Sequence, residues 1–258
     1  MPVAPGQTHI AQAYPDRVEV RGHDLAGDLM GRVTFTEYFH LLVTGREPDE
    51  EQRFFLDLLL VAIAEHGLMP SNVAARMTLA ADPVSLHGAV AAGILGAGPV
   101  ILGTSAACAR LLVEAQERVA AGADAEQTAL EAARAVHARS ERLPGFGHPL
   151  HRPVDPRAER ILQLAAARGV SGPHVRLAEC FGDAVPTVWG HPLTMNVSLP
   201  IAAVLLDLGF PAAAVNAVPI LARTAGLLAH LAEEQRDPLG FLLAAKAEES
   251  VEYRAGEE

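Results

Sequence analysis

Lysine is nearly missing from this 258-residue sequence: of 20 basic residues one is a lysine, Lys246, and the other 19 are arginine. A Schiff-base or phosphate-loop mechanism therefore has one candidate, in Glu-rich sequence near the C-terminal end. Cysteine is scarce as well. Cys108 and Cys180 are too few for a disulfide framework or a four-cysteine zinc site, and they suit a reducing, cytoplasmic setting. The first ten residues have neither a charged stretch nor an apolar one, so no signal peptide is expected. Excess positive charge is missing too. A net charge of −11 argues against nucleic-acid and anionic-membrane partners. Aromatics make up only 5%, while alanine occurs 47 times. Aromatics favour strands and alanine favours helices, so the sequence predicts an all-α fold. Hydrophobic residues reach 50%, which excludes a disordered chain.

One long apolar run needs a membrane check. Residues 84–109 carry no Asp, Glu, Lys or Arg, and that is long enough to span a bilayer. They also contain His87, Pro99 and five glycines. Two buried core helices, broken near Gly98-Pro99, are the expectation.

Punctuation then places the helices. Residues 1–20, with three prolines, are expected as an arm. Thr34 and Glu37 form a capping box for a helix over 34–43. Further helices are predicted over 49–66, 71–80, 85–97, 104–121, 124–140, 172–182, 196–208, 211–232 and 239–250. The segment from Arg142 to Arg157 has too much Pro and Gly for helix or strand, so it is an ordered loop. Asp155 is an N-cap and Pro156 an N1 residue, opening a helix that ends at Gly169.

This loop lies in a basic island. Residues 134–160 hold six arginines and three histidines against three acids. Arginine grips carboxylates and phosphates in a bidentate fashion, and a histidine on a glycine-flanked loop can move protons near neutral pH. The residues point to a site for a small polyanion with proton transfer by His148. His148-x-x-His151 also has ligand spacing, but no His-Glu-x-x-His or cysteine pair supports it, and no metal is expected.

Gly145-Phe146-Gly147-His148 followed by Asp155-Pro156-Arg157 resembles the second catalytic-histidine loop of the citrate synthase superfamily. Arg21-Gly22-His23, Phe35-Thr36-Glu37 through Pro48, His66 with Ser71 and Ala74-Ala75-Arg76, and Ala222-Arg223-Thr224-Ala225-Gly226 through His230 are similar to other segments of that family, in order. The resemblance implies an all-α citrate synthase-like unit over residues 1–258. It has a large helical domain and a smaller lobe, about residues 125–220, that carries the His148 loop. It implies a homodimer that handles a CoA thioester with a tricarboxylate or oxoacid, and no tightly bound cofactor. By position, His148 would be the acid/base on the oxygen at the carbon being joined or cleaved. Arg157, Arg223 and His66 would bind the substrate, with Asn196 and Ser198 beside them. Leu143, Gly145, Phe146, Gly147 and Arg152 would meet CoA.

Two departures bear on activity. Ser198 stands where the family carries a catalytic aspartate after an Asn-Val pair. The family's first catalytic histidine is missing from the aligned stretch 98–103; His87-Gly88 resembles it locally but lies too early. The chain is also close in length to the compact citryl-CoA lyases of the superfamily and to the citrate-synthase-like module of ATP-citrate lyase. The expected reaction is cleavage of citryl-CoA, or a related 3-hydroxy-3-carboxyacyl-CoA, to acetyl-CoA and oxaloacetate. In that direction a neutral His148 would take the tertiary hydroxyl proton. A condensing synthase and a catalytically silent scaffold are the rival readings.

Overall fold

A computed structural model describes residues 6–254 of the protein. Eleven α-helices make the framework: α1 Phe35–Thr44, α2 Glu50–Ala64, α3 Pro70–Ala81, α4 Leu86–Ile101, α5 Thr104–Ala120, α6 Ala125–Ala138, α7 Pro156–Ala167, α8 Pro173–Trp189, α9 Ser198–Asp207, α10 Ala217–Glu234 and α11 Gly240–Glu249. The all-α expectation holds apart from one small antiparallel sheet near the N-terminus, β1 Ala11–Ala13, β2 Val18–Val20 and β3 His23–Asp24. That sheet corrects the predicted arm. Its strands are three residues or fewer and β1 is fully exposed, so they carry no alternating pattern to read. A π-turn over Leu25–Leu29 follows, capped by the Asp24 carboxylate.

Local chemistry explains several helix starts. Thr34 and Glu37 make the predicted capping box on α1, and Asp49 with Gln52 makes a second on α2. Asp155 caps α7 with Pro156 at its first turn. Helix α8 runs seven residues past its predicted end at 182. Gly182 and Pro186 lie inside it, and the chain leaves the helix only at Gly190, in the left-handed conformation.

The main core is one cluster from α2, α5, α6, α7, α8 and α9, with Phe55, Leu112, Ile161, Phe181, Leu199 and Ile201 fully buried. A smaller cluster joins α3, α4 and α10 through Ala75, Leu79, Ala89, Leu227 and Leu231.

The expected break in residues 84–109 is present: Gly98 has a φ of 52° ahead of Pro99. The expected burial holds for α5, where Ser105, Cys108 and Ala109 are buried, but not for α4. Only Ala89, Gly93 and Ala97 of α4 are buried, while Leu95 and Val100 are each 80% exposed and Val84, just before the helix, is 91% exposed. Leu86–Ala120 and Ala212–Glu234 are each apolar and long enough to cross a membrane by length and composition. Helix α4 presents an apolar face outward because its sequence is apolar all round, and periodicity alone could not show which side would be covered.

Candidate active site

The loop after α6 meets the chain leading into α9 and is stitched to it. Gly147 N donates to Thr194 O at 2.7 Å, and Asn196 N donates to Gly145 O at 2.8 Å. The Asn196 amide donates to Gly147 O at 3.0 Å, and Thr194 Oγ1 donates to the carbonyls of His151 and Pro153. Gly145 is obligatory at a φ of 83°: a Cβ there would lie 2.6 Å from Leu199 Cβ and 3.1 Å from Cys108 Sγ. Leu143 and Phe146 anchor the loop in the core. Burial pushes the Cys108 thiol up to about 12, so it is an apolar wall here and not a nucleophile.

This stitching brings three histidines together. His66, from the turn between α2 and α3, meets His148 and His151 of the loop, and one nitrogen from each ring lies within 4.8 Å of the others. His66 Nε2 and His151 Nε2 are 3.1 Å apart. The rings of His148 and His151 overlap with centroids 4.3 Å apart. Burial, then the nearby Arg157, hold His66 below the ordinary histidine range. Burial, then His151, do the same to His148. Both shifts favour the neutral ring.

Backbone donors set the His148 tautomer. Nδ1 accepts from Leu150 N at 3.0 Å and His151 N at 2.8 Å. A lone pair therefore sits on Nδ1, and a neutral ring carries its proton on Nε2, where it meets the Arg157 Nη2 donor at 3.4 Å, a contact that an oxygen accepting from both would relieve. Of the two halves of an acid–base role, this gives His148 the donor half. The same geometry disfavours a metal ion in the cluster. A histidine that ligates through Nε2 normally donates its other N–H to an acceptor, and here Nδ1 faces two donors. Arg157 and Arg223 add positive charge beside the rings.

The arginines are set for an anion. Asp155 is fully buried; it caps α7 and also grips Arg157, accepting from its Nε at 3.0 Å and its Nη2 at 2.9 Å. Arg157 Nη2 then lies 3.4 Å from His148 Nε2. Arg223, on α10, is 3% exposed, and its Nε and Nη1 have no hydrogen-bond partner. Burial holds its guanidinium below the usual arginine range, opposed by Glu65. Glu65 also orders the His66 turn, accepting from His66 N at 2.8 Å and Gly67 N at 2.6 Å. His230 and Asn72 hold this carboxylate in turn. Arg76, 1% exposed, donates to His230 Nδ1 at 3.0 Å and pairs with Glu234 at 2.9 Å.

The sequence-derived residues thus separate into two groups. His66, His148, Arg157 and Arg223 converge. Asn196 and Ser198 lie beside the loop, with Ser198 N donating to the Asn196 side chain at 3.1 Å as α9 begins. Arg152 is exposed. His87 is also exposed, at the second residue of α4, and is not in the cluster. Sequence reasoning missed His151, Glu65 and the polar chain through His230, Arg76 and Glu234. The His-x-x-His spacing flagged His151 only as a metal ligand.

A family model described as citrate synthase, C-terminal domain, matches residues 6–240. The chain belongs to the citrate synthase family. A Mycobacterium tuberculosis chain provisionally named citrate synthase 2 is 33% identical over 208 residues, which cover 78% of this chain and 52% of that one. The citrate synthase of Haloferax volcanii is 27% identical over 202 residues. The chain spans about half the length of these curated relatives. Among solved structures, the citryl-CoA lyase of Hydrogenobacter thermophilus superposes with a TM-score of 0.85 at 28% identity, covering 98% of this chain and 96% of that one. The ATP citrate lyase of Methanothrix soehngenii, in complex with citrate and coenzyme A, has the same fold over 43% of its chain, with a TM-score of 0.77 at 22% identity.

Proposed function

We propose that this chain is an enzyme that cleaves citryl-CoA, or a related 3-hydroxy-3-carboxyacyl-CoA, to acetyl-CoA and oxaloacetate by retro-Claisen chemistry. The observation that carries the reading is Arg223: a buried guanidinium with two unpaired nitrogens, beside Arg157 and three clustered histidines. A buried cation costs too much to keep without a counter-ion, and a carboxylate-rich substrate supplies one. Fold likeness over nearly the full length of a citryl-CoA lyase supports the same class. Ser198 removes the family's carboxylate from both directions alike, because the group that takes the methyl proton in condensation returns it to carbon in cleavage.

In this reading Arg157 and Arg223 bind substrate carboxylates, and His66 and His148 meet the oxygen on the carbon being cleaved. Neutral N–H donors in a partly buried site stabilise negative charge that develops on that oxygen. Leu143, Gly145, Phe146 and Gly147 form the wall for the CoA head, with exposed Arg152 for its phosphate. CoA enters as a thioester substrate. The apolar outward face at Val84, Leu95 and Val100 is covered by a second copy of the chain.

The test is turnover. Purified protein mixed with citryl-CoA should release acetyl-CoA and oxaloacetate, followed by mass spectrometry, and His148→Ala should lose about 10²–10⁴-fold. No cleavage, but a citrate-dependent rise in melting temperature, would sink the lyase reading and leave a binding protein. Light scattering that gives the mass of one chain would remove the second copy.

A further inference from the structure

The cleavage reaction needs a base for the tertiary hydroxyl proton, and the site has few lone pairs to offer. His148 Nδ1 is taken by two backbone donors, which leaves Nε2 as an N–H. Asp155 is taken by Arg157 N, Nε and Nη2 and by Val197 N. Glu65 accepts from His66 N, Gly67 N, Asn72 and His230. Arginine stays protonated. What remains is the His66–His151 pair, whose Nε2 atoms are 3.1 Å apart, so one of them donates and the other accepts. His66 Nδ1 is buried with no partner. A proton there would be an orphaned buried donor, the costlier arrangement, so His66 carries its proton on Nε2 and points it at His151. The least engaged lone pair of the cluster is then that of His151 Nε2, which accepts only from His66, a donor that can turn to a substrate oxygen instead.

We propose that His151 is the catalytic base, and that His66 and His148 are the two donors around the same oxygen. One nitrogen from each ring lies within 4.8 Å of the others. An oxygen placed among them can therefore sit within about 2.8 Å of all three, the range of a good hydrogen bond. A tertiary hydroxyl there accepts from His148 Nε2–H and His66 Nε2–H and donates its own proton to His151 Nε2. The O–H bond breaks and an N–H bond forms. The alkoxide collapses to a ketone as the adjacent C–C bond breaks, and its electron pair moves into the acetyl-CoA enolate. The enolate carbon was two bonds from that oxygen, so the His151 imidazolium faces it and returns the proton to carbon. The imidazole ends neutral, as it began, and this path needs no carboxylate at position 198.

The proposal rests on the lyase reading, and its test separates the two. His151→Gln keeps a hydrogen-bond acceptor but cannot take a proton. It should lower kcat for citryl-CoA by about 10²–10⁴-fold while KM and the citrate- and CoA-dependent rises in melting temperature stay. It should also abolish deuterium exchange into the acetyl-CoA methyl group in D2O with oxaloacetate present. Turnover within about tenfold of the parent, with exchange retained, overturns the role of His151 and leaves the lyase reading intact. A parent inert toward citryl-CoA removes the lyase reading, and the exchange assay then decides alone. Exchange by the parent that His151→Gln abolishes supports the base; equal exchange in both, zero included, overturns it.

Discussion

Asp155 holds Arg157 from two residues away. One carboxylate oxygen accepts from the Arg157 backbone N–H at 3.1 Å and from its Nε, and the other accepts from its Nη2 and from Val197 N at 3.1 Å. One buried side chain therefore caps α7, aims the Arg157 guanidinium and ties down the start of α9. Because the arginine is the helix's second residue, its guanidinium cannot drift without breaking the cap.

Asp155→Ala removes one partner of a largely buried ion pair and leaves Arg157 uncompensated. We expect a loss of about 3–5 kcal/mol in urea unfolding. In the folded fraction KM for the tricarboxylate should rise more than kcat falls. Parent-like KM would show that Arg157 is aimed by something else.

Arg223→Met should act in the opposite direction on stability. It replaces a buried, unpaired cation with an apolar side chain of similar length, so the ligand-free melting temperature should rise. Citrate at about 100 times its dissociation constant should stabilise the parent by about 2.7 kcal/mol and the variant by nothing. A variant that still gains stability from citrate would remove Arg223 from the binding site.

Gly226→Ala places a Cβ on α10 only 2.2 Å from the Ala64 carbonyl and 3.0 Å from Glu65. The end of α2 must move, and the His66 turn moves with it. Overpacking of this kind costs about 1–3 kcal/mol. Calorimetry should show that loss, and turnover should fall further than stability accounts for. Unchanged melting would mean that the two helices slide apart freely.

Acid should weaken the fold before any carboxylate titrates. His66 and His148 are held below the ordinary histidine range, so the unfolded chain binds protons there that the folded chain does not. Stability is then complete above the unfolded histidine value of about 6.5 and declines as pH falls below it. The drop in melting temperature between about pH 7.5 and pH 5.5 should shrink in His66→Gln/His148→Gln. An unchanged drop would place the sensitivity in other groups.

The readable parts of the sequence were those where one residue type has one local use. Thr34 with Glu37, Asp155 with Pro156 and the Gly98-Pro99 break all behave as their chemistry dictates. Glycine-rich loop residues next to His148 likewise marked the site. Long-range assembly was harder to see. His66 and His151 lie 85 residues apart, and neither has a local pattern that names its partner. The end of α8 was placed at 182, yet the helix continues through Gly182 and Pro186 to Trp189, packed by Val185 and Ala184 in the core. The outward face of α4 was invisible for a related reason: an all-apolar helix does not say which side is covered.

The five bonds that stitch the loop run between residues 145–153 and 194–196, in both directions. The two segments therefore form a single mechanical plate, with Phe146 bridged to Met195 at its centre. A displacement of either segment breaks these bonds unless the other follows, so His148 and His151 move relative to His66 together. The amide hydrogens of Gly147 and Asn196 share one opening event and should exchange with solvent at a common rate.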